Sequence, residues 1–402
     1  MLRDRDIICF STDWSGDPTS KRHIMCRLAR DNRVLWVDSI GYRTPRPSAR
    51  DARRFVRKAA VIARGCRPVS RNLWALSPPV VPWHSSAAIR DLNRRLLRTS
   101  LRRALTRLEM RDVVSWSFLP SSEVVTGELG ERLIVYHCVD EFSQFTGVDA
   151  RSLSELEARL ARRADVVFVS ADRLYASKRR LNANTHLVRH GVDIEHFGRA
   201  LAPGTEVPAD LPRGAGPVIG FFGLVADWVD LELVRHLALH RPGWQLVLIG
   251  PVETDTGAIA ELGNVHLLGR RGYLDLPRYC KGFDVAVLPF RINELTLAAN
   301  PLKLREYLAA GLPVVATPVP EAERLGPAVR VARDHDEFLV RLDELLAGGA
   351  TGPRWEIART MAGESWDART AELSRIVARC LRDRERPTAG ADVLPWHREA
   401  AS

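Results

Sequence analysis

The chain has 402 residues, a hydrophobic content of 46%, a charged content of 27% and a formal net charge of +10. This length is enough for two domains that each bury their own core. The composition is that of a soluble globular protein, and no apolar run reaches the roughly 18–20 residues that a membrane-spanning helix needs. Length and composition therefore favour a soluble two-domain protein and exclude a membrane-spanning one.

Cysteine usage and the first residues bear on the cellular compartment. The six cysteines are scattered and form no CxxC pair, so we expect reduced thiols and no structural zinc. The N-terminus, MLRDRDIICFSTDW, has two acidic residues before a short apolar stretch, which is unlike a secretory signal. We therefore expect a cytoplasmic protein.

The first half of the chain predicts alternating strands and helices. Short apolar and β-branched runs predict strands, and amphipathic stretches between them predict helices. The predicted strands are 7–10, 34–37, 73–76, 113–116, 133–136 and 166–169, and the predicted helices are 21–30, 52–64, 88–108 and 154–163. Strands that alternate with helices imply parallel βαβ units, and hence a doubly wound α/β sheet.

The positive charge is concentrated between Arg43 and Arg107, where seventeen basic residues stand against two acids, a local balance of +15. The predicted helices 52–64 and 88–108 both place arginines opposite an apolar stripe. Nucleic acid, anionic lipid and acidic glycan are possible partners, and nucleic acid is not expected because no reader motif accompanies the charge. Anionic phospholipid is favoured, at about 1 kcal/mol per basic residue near the membrane. The alternative is a solvated, arginine-rich surface of the kind that a GC-rich genome encodes.

Polar residues follow the strand 133–136, at the edge where the carboxyl ends of parallel strands meet. They are His137, Asp140 and Glu141. A carboxylate there can take the proton from an attacking hydroxyl group, and Asp140 is the first candidate for this general base, with Glu141 second. Two plainer interpretations stay open: Asp140 caps a short helix, and His137 is a core histidine.

The second half repeats the alternating pattern after a linker rich in proline and glycine at 202–217. The helices that it predicts include 231–239 and 366–382, and its predicted strands are 218–223, 245–250, 265–269, 285–289 and 313–317. We therefore predict a first domain over 1–200, a second domain over 201–365, a closing helix over 366–385 and a mobile tail over 386–402.

The segment 294–321, ELTLAANPLKLREYLAAGLPVVATPVPE, carries the strongest functional signal in the chain. It predicts a helix over 302–310 that ends at Gly311 and is followed at once by a buried strand. A helix N-terminus at the edge of a parallel sheet attracts anionic phosphate groups. Lys303 in its first turn could bind a diphosphate, and Glu306, on the same face, could bind ribose hydroxyls. The alternative is that both side chains are simply solvated.

The string NPLKLREYLAAGLPVVAT closely resembles the donor-site motif of GT-B glycosyltransferases. It is most similar to the bacterial group 1 transferases of polysaccharide and cell-envelope synthesis, which carry NPxKxxEYLAxGxPVV. The resemblance implies a GT-B fold, in which two Rossmann-like doubly wound domains face each other across a cleft and the closing helix crosses back to the first. It also implies a nucleoside diphosphate sugar donor and a glycan or lipid-linked acceptor. No bound metal or cofactor is expected, since the helix dipole and Lys303 can stabilise the leaving diphosphate. The basic region favours a place at the inner face of the plasma membrane.

The resemblance also implies which residues bind the two substrates. The donor site would contain Gly223, Asp227, Gly250, Gly269, Arg270, Tyr273, Glu294, Asn300, Leu302, Lys303 and Glu306. The acceptor side would contain Asp13, Trp14, Gly16, Arg22, His23 and His137. Asp227 has a second interpretation, as the N-cap of the helix that continues from Leu231.

The chain departs from the family pattern at two places. Leu224 and Val225 stand where many retaining members carry arginine and lysine, and Ala298 stands where many carry a glutamate eight residues before Glu306. Glu294 could replace that glutamate only if its loop folds differently. These departures leave the anomeric outcome open. They also keep two rival functions open, a sugar-nucleotide epimerase of the GT-B type and a degenerate, non-catalytic partner subunit.

Overall fold

The computed structural model of the protein describes residues 1–39, 62, 65–81, 87–212, 214 and 216–385. The tail over 386–402, the start of the basic region at Arg43 and all but one residue of the predicted helix 52–64 lie outside the described residues.

The first half of the chain forms an eight-stranded sheet in the order β3-β4-β2-β1-β5-β6-β7-β8. All neighbouring strands are parallel except β3 and β4. The strands are β1 Asp6–Phe10, β2 Arg33–Val37, β3 Arg67–Ser70, β4 Leu73–Leu76, β5 Val114–Ser117, β6 Leu133–Cys138, β7 Val166–Val169 and β8 Thr185–Leu187. The helices of this half are α1 Ser20–Leu28, α2 Ala87–Arg107, α3 Ala150–Arg163 and α4 Asp172–Lys178.

The second half forms a six-stranded, fully parallel sheet in the order β11-β10-β9-β12-β13-β14. Its strands are β9 Val218–Phe222, β10 Gln245–Ile249, β11 Val265–Gly269, β12 Val285–Leu288, β13 Val314–Ala316 and β14 Val329–Val331. The helices from the end of the first sheet onward are α5 Ile194–Gly198, α6 Leu231–His240, α7 Leu276–Lys281, α8 Glu294–Leu297, α9 Leu302–Ala309, α10 Pro320–Arg324, α11 His335–Ala347, α12 Trp355–Ala358 and α13 Trp366–Glu385. The strand order reverses between β9 and β12, and open α/β sheets bind ligands at such a point.

The closing helix α13 packs against the first sheet. Its apolar face buries Trp366, Leu373 and Val377 in the same hydrophobic cluster as Trp36 and Trp116 of that sheet. Burying apolar side chains of this size contributes about 1.5–3 kcal/mol each. The last helix therefore ties the end of the chain to its first half.

The structure confirms the predicted fold class of mixed α/β with parallel sheets. All eleven predicted strands are present, and their ends are the same or differ by one or two residues. Strands β3, β8 and β14 were not predicted, because each has only three or four residues at the edge or end of a sheet and lacks a clear apolar run. The division of the chain into domains at residue 200 stays a prediction.

Candidate active site

Loops at the carboxyl ends of both sheets meet across a cleft. The side-chain amide of Asn300 donates to the carbonyl of Ser170 at 2.7 Å, and Arg270 pairs with Asp17 at 2.8 Å. Glu294 pairs with a residue of the first half in the same way, since its carboxylate lies 2.9 Å from the guanidinium of Arg173. In each contact one partner follows a strand of the first sheet and the other follows a strand of the second.

Glycines bring backbone close to backbone where β9 and β10 end. Gly223 has φ +155° and Gly250 has φ +147°, values that disfavour residues with a side chain. A Cβ atom on Gly250 would lie 1.8 Å from the carbonyl oxygen of Gly223. The backbone of Gly250 also donates to Gly269 at 2.9 Å. Three of the predicted donor-site glycines are therefore neighbours at the carboxyl ends of β9, β10 and β11.

The first turn of α9 faces these glycines. A Cβ atom on Gly223 would lie 3.5 Å from Cε of Lys303. Pro301 occupies the N-cap position and supplies no side-chain hydrogen bond, so the amide groups of Leu302 and the following residues are left for a ligand. Lys303 is 26% exposed and pairs with Glu306 at 2.8 Å, while Glu306 is only 7% exposed. The start of the helix, its backbone amides and the Lys303 cation therefore lie together, and their role in donor binding stays a prediction.

Tyr273 lies where the two halves of the chain meet. Its ring stacks on His196 with centroids 4.4 Å apart, and its hydroxyl lies 3.4 Å from Nε2 of His23. Burial, together with the charge of Arg27, lowers the pKa of His23 to about 4, so its ring is neutral near pH 7. His196 was not predicted. Its only signal in the sequence is its position three residues after Asp193, the N-cap of α5.

The first loop after β1 is held by its own contacts. The guanidinium of Arg22 lies 4.2 Å from the ring of Trp14 and donates to the carbonyl of Gly16 at 3.3 Å. The backbone of Trp14 donates to Asp38 at 2.7 Å. Asp13 is exposed and accepts from the backbone of Ser39 at 3.2 Å. Arg22 therefore shapes the loop, and Asp13 is one of its exposed residues.

Asp140 lies at the end of β6 beside a buried lysine. Burial raises the pKa of the Asp140 carboxyl above its ordinary value, and the charge of Lys21 opposes this shift. Burial likewise lowers the pKa of Lys21, which is 7% exposed, and the charge of Asp140 opposes that change. The short helical turn that follows is preceded by Glu141 and has no side-chain cap, so the capping alternative for Asp140 is wrong. Lys21 was not predicted, because the sequence does not show that it is buried.

Glu141 and His137 are both held by neighbouring side chains of the first half of the chain. The Glu141 carboxylate accepts from Ser143 at 2.9 Å and lies 3.4 Å from Nζ of Lys178, which also pairs with the buried Glu157 at 2.8 Å. Because this network holds the carboxylate of Glu141, Glu141 does not fit the role of a base. His137 is 1% exposed and stacks on Phe118 with centroids 4.9 Å apart. The acceptor-binding interpretation of His137 is therefore corrected to that of a core histidine.

Two predicted donor-site residues also have other partners. Both polar atoms of the Asn300 side chain are used, since Oδ1 accepts from Arg305 at 2.7 Å while the amide donates to Ser170. Asn300 is thus a connecting residue. Asp227 is not the cap of α6, because Asp230 takes that position and accepts from Leu233 at 3.1 Å. The Asp227 carboxylate instead accepts a hydrogen bond from Thr146 across the cleft.

Among the residues that the structure describes, no group of three or more histidine, cysteine, aspartate or glutamate side chains is arranged to hold a metal ion. No helix in the same ranges is long and apolar enough to cross a membrane.

Comparisons with known proteins agree with this geometry. Residues 216–348 match the family described as glycosyl transferases group 1. A Bacillus subtilis strain 168 protein, named as the teichuronic acid biosynthesis glycosyltransferase TuaH, is 27% identical over 268 residues, which cover 61% of this chain and 67% of that protein.

Solved structures share the fold of the whole chain. Sucrose-phosphate synthase from Thermosynechococcus elongatus aligns with a TM-score of 0.68 and 15% identity, over 94% of this chain and 100% of that one. Anabaena HepE in complex with UDP and glucose aligns with a TM-score of 0.58 and 14% identity, over 95% and 100% of the two chains. Residues 216–348 are therefore similar to group 1 glycosyltransferases, within a chain that has the GT-B fold.

Proposed function

We propose that the protein transfers a sugar from a nucleoside diphosphate sugar, UDP- or GDP-linked, to a glycan, lipid-linked or small-molecule acceptor in polysaccharide or cell-envelope synthesis. The observation that carries this proposal is the position of Lys303, in the first turn of α9 and against Gly223. The likeness to TuaH and to the fold of UDP-bound HepE supports it.

The donor would bind where the glycines meet α9. The backbone of Gly223 and Gly250 permits close approach of a diphosphate, and Lys303 with the first amides of the helix would stabilise its charge. Glu306, three residues after Lys303, would bind the ribose hydroxyls. The stacked rings of Tyr273 and His196 would flank the nucleobase.

The transfer step needs a group that accepts a proton from the acceptor. We assign this role to Asp140, for an inverting reaction in which the acceptor oxygen bonds to the anomeric carbon as the bond to the diphosphate breaks. The acceptor hydroxyl proton passes to the Asp140 carboxylate, and the charge of Lys21 favours the ionised form that can take it. Asp13 and Trp14 would form the outer part of the acceptor site.

Replacement of Lys303 by methionine tests the donor site. We expect UDP or GDP, whichever the wild type binds, to bind about 10- to 100-fold more weakly, because a hydrogen bond to a charged group contributes about 1.5–3 kcal/mol. Isothermal calorimetry measures the affinity, and Arg330→Met serves as a control on an exposed ion pair of the same half. Equal affinity in wild type and Lys303→Met would contradict the site. Binding of neither nucleotide to the wild type would favour the degenerate partner subunit.

The basic surface of α2 is proposed to bind anionic membrane. Part of its charge is neutralised, since Arg94 pairs with Glu128 at 2.6 Å and Arg95 with Asp91 at 2.7 Å. Arg103 and Arg107 are exposed, and no ion pair joins them to another residue in the described part of the chain. They are therefore two arginines of this helix whose charge is available for phospholipid.

Vesicle co-sedimentation tests this surface. The double variant Arg103→Gln, Arg107→Gln is expected to bind phosphatidylserine-containing vesicles about 30-fold more weakly, at about 1 kcal/mol for each basic residue. Arg330→Gln, on the second sheet, is the matched control and should bind like the wild type. Equal binding of the wild type to neutral phosphatidylcholine vesicles would remove the membrane proposal.

A further inference from the structure

A groove of about 560 Å³ lies over the carboxyl ends of β12, β13 and β14, outside the proposed donor site. Its floor includes Phe290, Thr317 and Ala332, which follow these three strands. The starts of α6 at Asp230 and of α11 at His335 also line it. The volume lies within the range of small-molecule pockets, and strand ends of a parallel sheet are where such pockets form.

The lining of the groove suits a ligand rich in hydroxyl groups. Asp230 pairs with His335 at 3.1 Å, and Asp336 lies 3.2 Å from His236. In the second pair it is the buried Nε2 atom of His236 that faces the Asp336 carboxylate. Arg291 adds an exposed guanidinium. Carboxylate, imidazole and guanidinium groups together provide both donors and acceptors, without an excess of charge of one sign that would select an anion or a cation.

Apolar side chains complete this lining. Phe290, Ile292 and Pro318 border the groove, and the side chain of Ile292 is exposed. A sugar ring has an apolar face of C–H groups and a rim of hydroxyls, so it matches an apolar platform edged by polar groups.

The groove adjoins the cleft because the same two loops line both. Trp228 lies in the cleft, with its ring 6.4 Å from that of Phe145 in the first half, and Asp230 two residues later lines the groove. In the other loop, Arg291 lines the groove, and Glu294 pairs across the cleft with Arg173. The backbone of Arg291 donates to the carbonyl of Trp228 at 2.8 Å, which joins the two loops into one ridge. A chain of sugars that leaves the cleft can cross this ridge into the groove.

We propose that the groove is a subsite for an acceptor glycan, and that it binds neutral sugar units beyond the one that receives the transferred sugar. This inference rests on the proposed glycosyltransferase function and names a second contact for its acceptor. The groove lies on the second half of the chain, whereas Asp140 lies on the first. An acceptor that reaches both must therefore have more than one sugar unit.

Saturation-transfer NMR with three disaccharides tests the subsite. Maltose, cellobiose and N,N′-diacetylchitobiose are each titrated into the full-length protein, and at least one is expected to bind in the millimolar range. Arg291→Ala and His335→Ala should each weaken that binding at least fivefold, while Arg330→Ala, away from the groove, should leave it unchanged. Absence of binding by all three sugars, or equal binding in the groove variants, would overturn the proposal.

The donor site provides an independent readout. UDP or GDP affinity should be the same in Arg291→Ala and in the wild type, and Lys303→Met should bind the disaccharide normally while it loses nucleotide affinity. Failure of the wild type to bind either nucleotide would contradict the proposed function, whereas failure of the wild type to bind any of the three disaccharides, with nucleotide binding intact, would contradict only the subsite. Disaccharide binding that Lys303→Met abolishes would place the sugar in the donor site and also overturn the inference.

Discussion

Replacement of Arg305 by methionine is expected to lower the free energy of unfolding of the second half by about 3–5 kcal/mol. Arg305 is 0% exposed, and its guanidinium lies 2.5 Å from Glu321 and 3.3 Å from Glu364. Burial alone raises the pKa of Glu321, but the hydrogen bond from Arg324 and the charge of Arg305 lower it below its ordinary value. Removal of Arg305 leaves part of this buried negative charge uncompensated. Urea unfolding followed by tryptophan fluorescence measures the change.

Two further variants separate the charge effect from loss of packing. Glu321→Gln in the Arg305→Met background removes the uncompensated charge and should restore part of the lost stability. Arg341→Met removes a partner of Glu337 on the surface of α11 and should leave the unfolding midpoint unchanged. A midpoint for Arg305→Met equal to that of the wild type would show that the buried pairs contribute nothing.

Arg305 shows that the sequence motif contains residues with two different roles. Its guanidinium donates to Asn300, whose amide in turn donates to Ser170 of the first half. The motif therefore contains residues that hold α9 in place as well as residues that face the proposed donor site. The sequence pattern alone does not distinguish the two kinds of residue. They are distinguished by burial, since Asn300 and Arg305 are buried and Lys303 is partly exposed.

The sequence predicts local structure well because short-range patterns determine it. The run that ends α9 and begins β13 is one example, since Gly311 has φ +81° and a Cβ atom there would lie 2.6 Å from the backbone of Arg354. Contacts across the cleft were not predicted. Asp17 and Arg270 are 253 residues apart in the chain, and no periodic pattern connects them. The correction of His137 has the same origin, because three-dimensional packing encloses its ring.

Replacement of Asp140 by asparagine is expected to reduce the rate of sugar transfer about 10²- to 10⁴-fold, the usual contribution of a general base. The amide is close in size to the carboxylate but does not accept the proton. UDP or GDP affinity should remain that of the wild type, because the proposed donor site lies on the second half. The substrate is the sugar nucleotide that most raises the melting temperature of the wild type. The measured quantity is the rate at which the nucleotide is released from it. A rate unchanged by Asp140→Asn would exclude Asp140 as the base.

The pH dependence of the same reaction separates a base from a residue that only shapes the cleft. Burial raises the pKa of Asp140, so the acid limb of the rate profile should lie above the range of an ordinary aspartate. Only the ionised carboxylate accepts the proton, and therefore the rate should rise with pH through that pKa. Lys21→Met removes the charge that opposes the shift, so it should move the limb to still higher pH. Glu141→Gln should leave the limb in place, because Lys178 holds Glu141 in a separate network. If Glu141→Gln moved the acid limb and Lys21→Met did not, the base would be Glu141 and not Asp140.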